Sequence, residues 1–502
     1  MIVGIDIGTQ SLKAVVADPA LRLLGRAASA YRPHYPRAGW AEQDPRLWEA
    51  ALGPTIAAAL GDAGVEPGQV EAVGICGQLD GCIAVDEDGA PLSDCILWMD
   101  RRAQAEIADL PAERIRTSAG LVLDATHMAA KIRWLKAHPP EGAAMRRFHQ
   151  PVSYVVERLT GTSVMDHALA STSMLYSLAE RRYDPALLAL FGIDERELPP
   201  LGEAASLAGP LVERGAELTG LRRGIPVAVG TGDDFSTPLG AGVVEGGTAV
   251  AVLGTGEVVG ALHTRPLIDQ TGLVETHAYP SGAYFIENPG WLCGGGVTWL
   301  TELLGLPSVS TFDRQASEAP PAADGVLFLP ALTGAMAPEW APRARGCFYG
   351  LTMSHGSPHL ARAMLEGCAF AMRDVIERLR AMGLAIDTVI LLGGGARSGI
   401  WAQIRADIAG MPVLVPREID SSAVGAAMLA GVAGGVFGGL REAAGLVDGV
   451  ADRFLPATER RIVYDEAYAA YRRLFRSLKP MFEAGPGAAA GARANRPAGV
   501  LR

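Results

Sequence analysis

Apolar residues along this chain follow two rhythms. The runs MIVGIDIG, SLKAVVAD, VEAVGICG, CIAVDED, IPVAVGTG, TAVAVLGTG and TVILLGGG are short and β-branched, and most lead straight into glycine-rich turns. That pattern predicts buried strands. HLARAMLEGCAFAMRDVIERLRAMG instead carries apolar residues at i, i+3, i+4 and i+7 and closes on glycine, which predicts an amphipathic helix. DEAYAAYRRLFRSLKPMF predicts another. Strands alternating with helices imply α/β layers.

The pattern also echoes itself. GIDIGTQSLKAVV near the start and AVAVLGTGEVVGALH near the middle both read as apolar strand, Gly-Thr turn, apolar strand. Two such hairpins suggest two related halves facing one another; chance similarity of Gly-Thr turns gives the same pattern, and the pattern alone leaves both open. The last stretch, EAGPGAAAGARANRPAGVLR, has too few large apolar residues to build a core, so residues 483–502 are expected to form a disordered tail.

A chain of 502 residues, 49% of them hydrophobic, has material for two domains of ordinary size. The net charge of −11 argues against nucleic acid as a partner, because phosphate backbones demand concentrated Lys and Arg. The six cysteines form no CxxC pair and have no accompanying His cluster, so they read as reduced, mostly buried thiols. The opening residues lack the succession of a signal peptide, and no apolar stretch is long enough for a bilayer. A soluble cytoplasmic enzyme with no membrane partner is expected.

Three stretches can carry chemistry. In DIGTQSLK the Gly8-Thr9 turn exposes backbone N–H groups, Thr9, Gln10 and Ser11 add side-chain donors, Lys13 adds a positive charge, and Asp6 at the strand end can hold Mg²⁺ through water. Phosphoryl transfer needs those parts, although an ordinary polar hairpin reads the same way. LLGGGARSGIW runs a strand into a triple-glycine turn, where a ring or a phosphate can approach the backbone closely. VGTGDDFSTPLG sets Asp233 beside Asp234 among glycines. Composition alone does not say which is a base and which belongs to a turn.

Taken in order, GIDIGTQSLK, GWAEQDPRLW, ILWMDRR, GTGDD, LGTG, MAPEWAPRARGCFYGLT, LLGGGARSGIW and SSAVGAAMLA make the chain resemble the FGGY family of carbohydrate kinases, xylulokinases most of all, over about residues 1 to 480. The resemblance implies a two-domain actin-like fold, each domain built on a ribonuclease-H-like core, with the active site in the cleft between them. It implies an N-terminal domain over 1–242 that binds sugar and carries the first phosphate loop, and a nucleotide-binding C-terminal domain over 243–482. It also implies ATP and Mg²⁺, transfer of the γ-phosphoryl group to a terminal hydroxyl of a small sugar or polyol, and leaves room for a homodimer. Thr9, Gln10, Ser11 and Lys13 match the first phosphate loop, with Asp6 near the metal. Gly254 and Thr255 match the second. The adenosine end is expected near Gly294, Thr298, Gly394, Gly395 and Ala396. The family's catalytic base falls on Asp233, which leaves Asp234 as a substrate contact or a supporting group.

The chain departs from xylulokinases at three places. It reads GQLDG where they read GQMHG, so Leu79 and Asp80 replace a Met-His pair that contacts sugar. Glycerol kinases carry an acidic residue matching Asp80, and an ionised carboxylate only accepts hydrogen bonds, which suits a diol. Asp234 replaces Asn, and GAMAP replaces GERTP. Trp98, in ILWMDRR, is expected in the core rather than as a sugar platform. The leading expectation is a kinase for a ketose such as D-xylulose. The alternatives are a polyol kinase of erythritol or pentitol type, and a non-catalytic sugar-sensing ATPase.

Overall fold

In the computed structural model, which describes residues 1–140, 144–447 and 449–484, the apolar runs assemble into two sheets of the same plan. In the first, β1 (Ile2–Ile7), β2 (Ser11–Ala17) and β3 (Leu23–Ala30) form an antiparallel meander. Parallel to β1 lies β4 (Ala72–Gly77). Then follow β5 (Leu207–Pro210), β6 (Pro226–Ala228) and β7 (Thr231–Gly232), giving the order β5-β6-β4-β1-β2-β3 with β7 on the end of β4. In the second sheet, β8 (Gly247–Leu253) and β9 (Gly256–His263) make the next hairpin. It is extended on one side by β10 (Glu275–Ala278) and β11 (Tyr284–Leu292), and on the other by β12 (Ile386–Leu392), β13 (Val413–Pro416) and β14 (Val450–Phe454), in the order β10-β11-β9-β8-β12-β13-β14. Meander plus parallel strands therefore occurs twice. The echoing hairpins are β1–β2 and β8–β9, at equivalent places in the two sheets.

Two expected strands differ in detail. IPVAVGTG is broken into β6 and β7, because Gly230 takes φ 79° where its backbone crosses β4; a Cβ there would lie 2.2 Å from the Ile75 carbonyl oxygen. CIAVDED forms a strand over Ile83–Val85, but it pairs with Arg147–His149 outside the large sheets.

The helices follow their sequence signals. Helix α1 (Pro45–Ala63) opens on Pro45, with the Asp44 carboxylate accepting the Arg46 N–H, and closes on left-handed Gly64. Then come α2 (Asp233–Gly240), α3 (Gly294–Leu303), the long buried α4 (Ser357–Ala381), α5 (Gly399–Ala409), α6 (Ser422–Ala433) and α7 (Arg461–Ala484). Glu483 and Ala484, expected in the tail, are instead the last residues of helix α7; 485–502 lie outside the described residues. Among the described residues no helix is long and apolar enough to cross a membrane.

The two sheets are joined by α2 and α6, which cross at glycines. A Cβ on Gly240 would lie 2.0 Å from the Ser421 carbonyl oxygen, and one on Gly425 2.1 Å from that of Ser236. Helix α6 also lies directly on the first sheet: a Cβ on Gly4 or Gly74 would lie 1.9 Å from the carbonyl oxygens of Ala423 and Ala426 respectively. Side chains there would force the backbones apart.

Candidate active site

The C-terminal ends of β1, β4 and β7 meet where α2 and α6 begin. Strand register places Asp6 opposite Lys13 and Cys76, and Cys76 opposite Thr231. Asp6 is buried; the Ser422 hydroxyl, in the first turn of α6, donates to its Oδ2 at 2.6 Å, while its Oδ1 is buried with no partner. Burial pushes the Asp6 carboxyl up, against the opposing pulls of Ser422 and Lys13. Asp233 is the first residue of α2, with Asp234 next to it. Burial, and then the carboxylates of Asp234 and Asp6, push Asp233 well above the usual carboxylate range. The helix start favours negative charge in this turn, which offsets part of that repulsion.

Leu79 and Asp80 follow β4 on the opposite side of this corner. Leu79 Cδ2 lies 3.1 Å from where a Cβ of Gly232 would sit, so Leu79 covers the residue just before Asp233. Asp80 adopts φ 57° and is fixed from several directions. Its N–H donates to Gln150 Oε1 at 2.7 Å, its carbonyl accepts from Lys131 Nζ at 2.5 Å, Thr172 Oγ1 donates to Oδ1 at 2.9 Å, and His127 Nδ1 lies 3.1 Å from Oδ2. Burial pulls the His127 imidazole down, but Asp80 and then Glu275 outweigh it and hold it well above its usual range. Burial and then Asp80 push Asp234 up to about 6. Asp234 thus lies in the field of Asp80, and Asp233 in that of Asp234, so the three belong to one corner.

The first hairpin turns tightly, with the Gly8 N–H donating to the Ser11 carbonyl at 3.0 Å. Thr9 Oγ1 accepts from the Trp98 indole N–H at 3.0 Å and donates to Gln78 Oε1 at 3.2 Å. Trp98 is 45% exposed, which corrects the expectation of a core residue: its ring stands over the hairpin because its N–H is taken there. Gln10 is exposed, Ser11 begins β2, and Lys13 Nζ lies 3.7 Å from Asp420, which also lies 3.7 Å from Arg397. Asp420 therefore links the first hairpin to the triple-glycine turn of the second sheet.

Around the second hairpin, Gly254 and Thr255 receive the start of α3: the Gly294 N–H donates to Gly254 O at 3.1 Å, and the Gly295 N–H to Thr255 O at 3.0 Å. A Cβ on Gly294 would lie 2.4 Å from Gly254 O, so that glycine is needed for packing. The hydroxyl of Thr298, one turn on, donates to Gly294 O at 3.1 Å. After β12, Gly393 takes φ 76° and Gly394 has open space where a side chain would be, whereas Gly395 packs on Leu253 and Ala396 is buried. The expected nucleotide residues Gly254, Thr255, Gly294, Thr298, Gly394, Gly395 and Ala396 thus lie where the central strands β8 and β12 end and α3 begins. The orphaned Asp6 Oδ1, the two glycine hairpins and the open space at Gly394 suit a cation and a phosphate-bearing nucleotide.

Single residues in the sequence carried no signal for His127, Gln150, Thr172, Glu275, His277 or Glu287, which the fold brings to the Asp80 side of the corner. Ser422 lay in a quoted motif, SSAVGAAMLA, without a role. In GAMAP the Met336 carbonyl accepts from Asn288 Nδ2 at 3.2 Å. The six cysteines are free, Cys347 partly exposed and the others buried.

Comparison with known proteins agrees with this geometry. Models of the FGGY family of carbohydrate kinases match the chain twice, the N-terminal domain over residues 1–240 and the C-terminal domain over 249–434. A glycerol kinase from Thermococcus onnurineus is 32% identical over 88% of this chain and 90% of its own. A xylulose kinase from Escherichia coli is 31% identical over 96% of this chain and 100% of its own. The solved structure of a xyloylose kinase from Brucella ovis superposes with a TM-score of 0.89 at 29% identity, over 96% of this chain and 99% of that one. With two matched sheets, their actin-like arrangement and both family models in sequence, the chain belongs to the FGGY family of carbohydrate kinases.

Proposed function

We propose that this protein is an ATP-dependent kinase that phosphorylates a terminal hydroxyl of a small ketose or polyol, with Asp233 as the base. The observation that carries the reading is Asp233 itself: a half-buried carboxylate at a helix start, between the unpartnered Asp6 Oδ1 and the Asp80–Asp234 corner. When bound, ATP with Mg²⁺ supplies the γ-phosphoryl group and the positive charge that offsets its negative charge. Asp6 is the residue to hold the cation. The N–H groups of the Gly8-Thr9 and Gly254-Thr255 turns, with Lys13, orient phosphate oxygens. Gly394 leaves room for the adenosine end beside Gly294, Thr298, Gly395 and Ala396. Asp233 accepts the acceptor's hydroxyl proton as that oxygen forms its bond to phosphorus and the bridging P–O bond breaks toward ADP. Asp80, Asp234 and Leu79 line the acceptor side, and half-exposed Trp98 gives it an apolar face. The working division is 1–242 for acceptor and first hairpin, and 243–482 for nucleotide.

A pentulose such as D-xylulose is the first acceptor to test, on the chain-long likeness to a xylulose kinase. The second reading, a polyol, rests on Asp80, whose carboxylate stands where xylulokinases have an imidazole, and on the glycerol kinases among the relatives. A coupled ADP-release screen over ketoses and polyols with purified protein tests both. ADP release that depends on one of these acceptors is expected; release independent of any acceptor, or none at all, would overturn the kinase reading.

Asp80→Ala removes a charged hydrogen-bonding group and strands His127. The expected result is a fall in kcat/KM for the acceptor of about tenfold to a hundredfold, with KM for ATP nearly unchanged. Steady-state kinetics in each substrate check it. Unchanged acceptor kinetics would remove Asp80 from the site.

A further inference from the structure

Strands β10 and β11 bring a second set of buried ionisable groups to the same corner from the other sheet. Their antiparallel register sets Glu275 opposite Glu287 and His277 opposite Phe285. Since side chains alternate along a strand, Glu275, His277, Phe285 and Glu287 share one face. That face abuts α2: the Phe235 ring centroid lies 5.6 Å from that of His277 and 6.4 Å from that of Phe285. Helix α2 is the one that begins with Asp233 and Asp234. From the first domain, His127 Nε2 comes to 3.8 Å from Glu275 Oε1, and the Val122 N–H donates to the same oxygen at 2.9 Å. His277 Nε2 lies 3.3 Å from Glu287 Oε1. On β9, Gly260 stands opposite Glu287, and a Cβ there would fall 2.7 Å from Glu287 Cβ, so a glycine makes the space that the glutamate occupies.

The arrangement is incomplete as it stands. His277 and Glu287 are each only 3% exposed, yet His277 Nδ1 and Glu287 Oε2 are buried with no hydrogen-bond partner. Burial, followed by Asp234, Glu275, Asp233 and Asp80, pushes the Glu287 carboxyl well above its usual range, so Glu287 lies in the field of the whole acceptor corner. Burial pushes His277 down to about 4, leaving a neutral ring. Buried polar atoms are rarely left unpaired, because each forgoes its bond to water without recompense. A hydroxyl both donates and accepts, so it can complete either atom.

The cations near this corner are already committed. The His127 charge is shared between Asp80 and Glu275, and Lys131 Nζ is held by the backbone carbonyls of Asp80 and Thr126. A carboxylate or phosphate on the acceptor would therefore face Asp80, Asp234 and Glu275 with no free positive group among the described residues. We propose that Glu287 and His277 form a specificity subsite that bonds a hydroxyl of an uncharged polyhydroxylated acceptor, other than the hydroxyl that is phosphorylated, and that the same wall rejects sugar acids and sugar phosphates. The proposal rests on the kinase reading above and narrows its acceptor class.

The test uses the full chain, wild type, Glu287→Gln and Glu287→Ala, with melting curves to establish folding. Acceptor and nucleotide binding are read by calorimetry, and turnover by ADP release. For the best neutral acceptor, Glu287→Ala is expected to raise KM and the dissociation constant by about tenfold to a hundredfold, with kcat and KM for ATP moving far less, and Glu287→Gln to fall between. Monodeoxy analogues of that acceptor supply the readout that a packing role would not move. For the analogue lacking the bonded hydroxyl, wild type and Glu287→Ala should become nearly equal. The corresponding aldonate and sugar phosphate should be neither bound nor turned over. Unchanged acceptor affinity in folded Glu287→Ala, an equal loss for every deoxy analogue, or preference for the aldonate would each overturn the proposal while leaving a kinase. If wild type binds neutral acceptors with the expected Glu287 dependence but releases no ADP, the kinase reading falls and the subsite stands.

Discussion

Asp233→Asn should lower kcat by about 10²–10⁴, the usual worth of a positioned general base. The amide keeps the shape but cannot take the acceptor's proton. Nucleotide affinity should stay near the wild-type value, because the expected nucleotide residues, Gly254 to Ala396, are held by the second sheet. The melting temperature should not fall: the substitution removes a carboxylate that burial and two neighbouring carboxylates penalise, and an active-site charge of this kind trades stability for activity. Three measurements check the prediction together: single-turnover rates, ADP binding and a melting curve. Near-wild-type turnover would remove Asp233 as the base. A loss of turnover accompanied by a lowered melting temperature would mean that the residue is structural. Asp234→Asn should be milder, since the carboxylate that pushes Asp234 up is Asp80, whereas Asp233 is pushed up by Asp6 as well as Asp234.

Arg405→Met should cost about 3–5 kcal/mol of folding stability, the price of leaving one partner of a buried ion pair alone. Arg405 Nη1 and Nη2 bond Glu257 Oε1 and Oε2 at 2.5 and 2.7 Å, and both side chains are fully buried. Glu257 is the second residue of β9, directly after the Gly254-Thr255 turn, and its Oε2 also accepts from Cys293 Sγ at 3.0 Å just before α3. The pair therefore fixes the second hairpin against the helix start that closes on it. Denaturant unfolding should show the loss, and KM for ATP should rise in the fraction that remains folded. The paired replacement Glu257→Met with Arg405→Met should recover most of the stability, because a buried pair roughly cancels its own desolvation when both charges leave together. A cost below about 1 kcal/mol for Arg405→Met alone would show that Glu257 is rehydrated and does not brace the hairpin.

The two Gly-Thr hairpins show how far a local pattern reaches. Strand, turn and strand are dictated by neighbours in sequence, so β1–β2 and β8–β9 were legible from residues alone. Whether they belonged to related halves was not, since that depends on strand order, which is non-local. The break of IPVAVGTG at Gly230 was hidden for a similar reason: it arises where the backbone passes against Ile75, in a strand distant in sequence. Trp98 reads as a core aromatic in any window of sequence. Its exposure follows from one hydrogen bond to Thr9 across the site.

By itself the sequence determined the α/β alternation, the glycine turns and the motifs whose order points to the family and to Asp233, because each is a property of short contiguous stretches. Only the tertiary structure decided what surrounds those stretches. It brought Glu287 and His277 from the second sheet to the corner that begins at Asp80. It left Asp6 Oδ1 without a partner and placed α6 on glycines of the first sheet. It also set the ionisation of the buried carboxyls, since a carboxyl's ionisation depends on its burial and on charges that arrive from the rest of the chain.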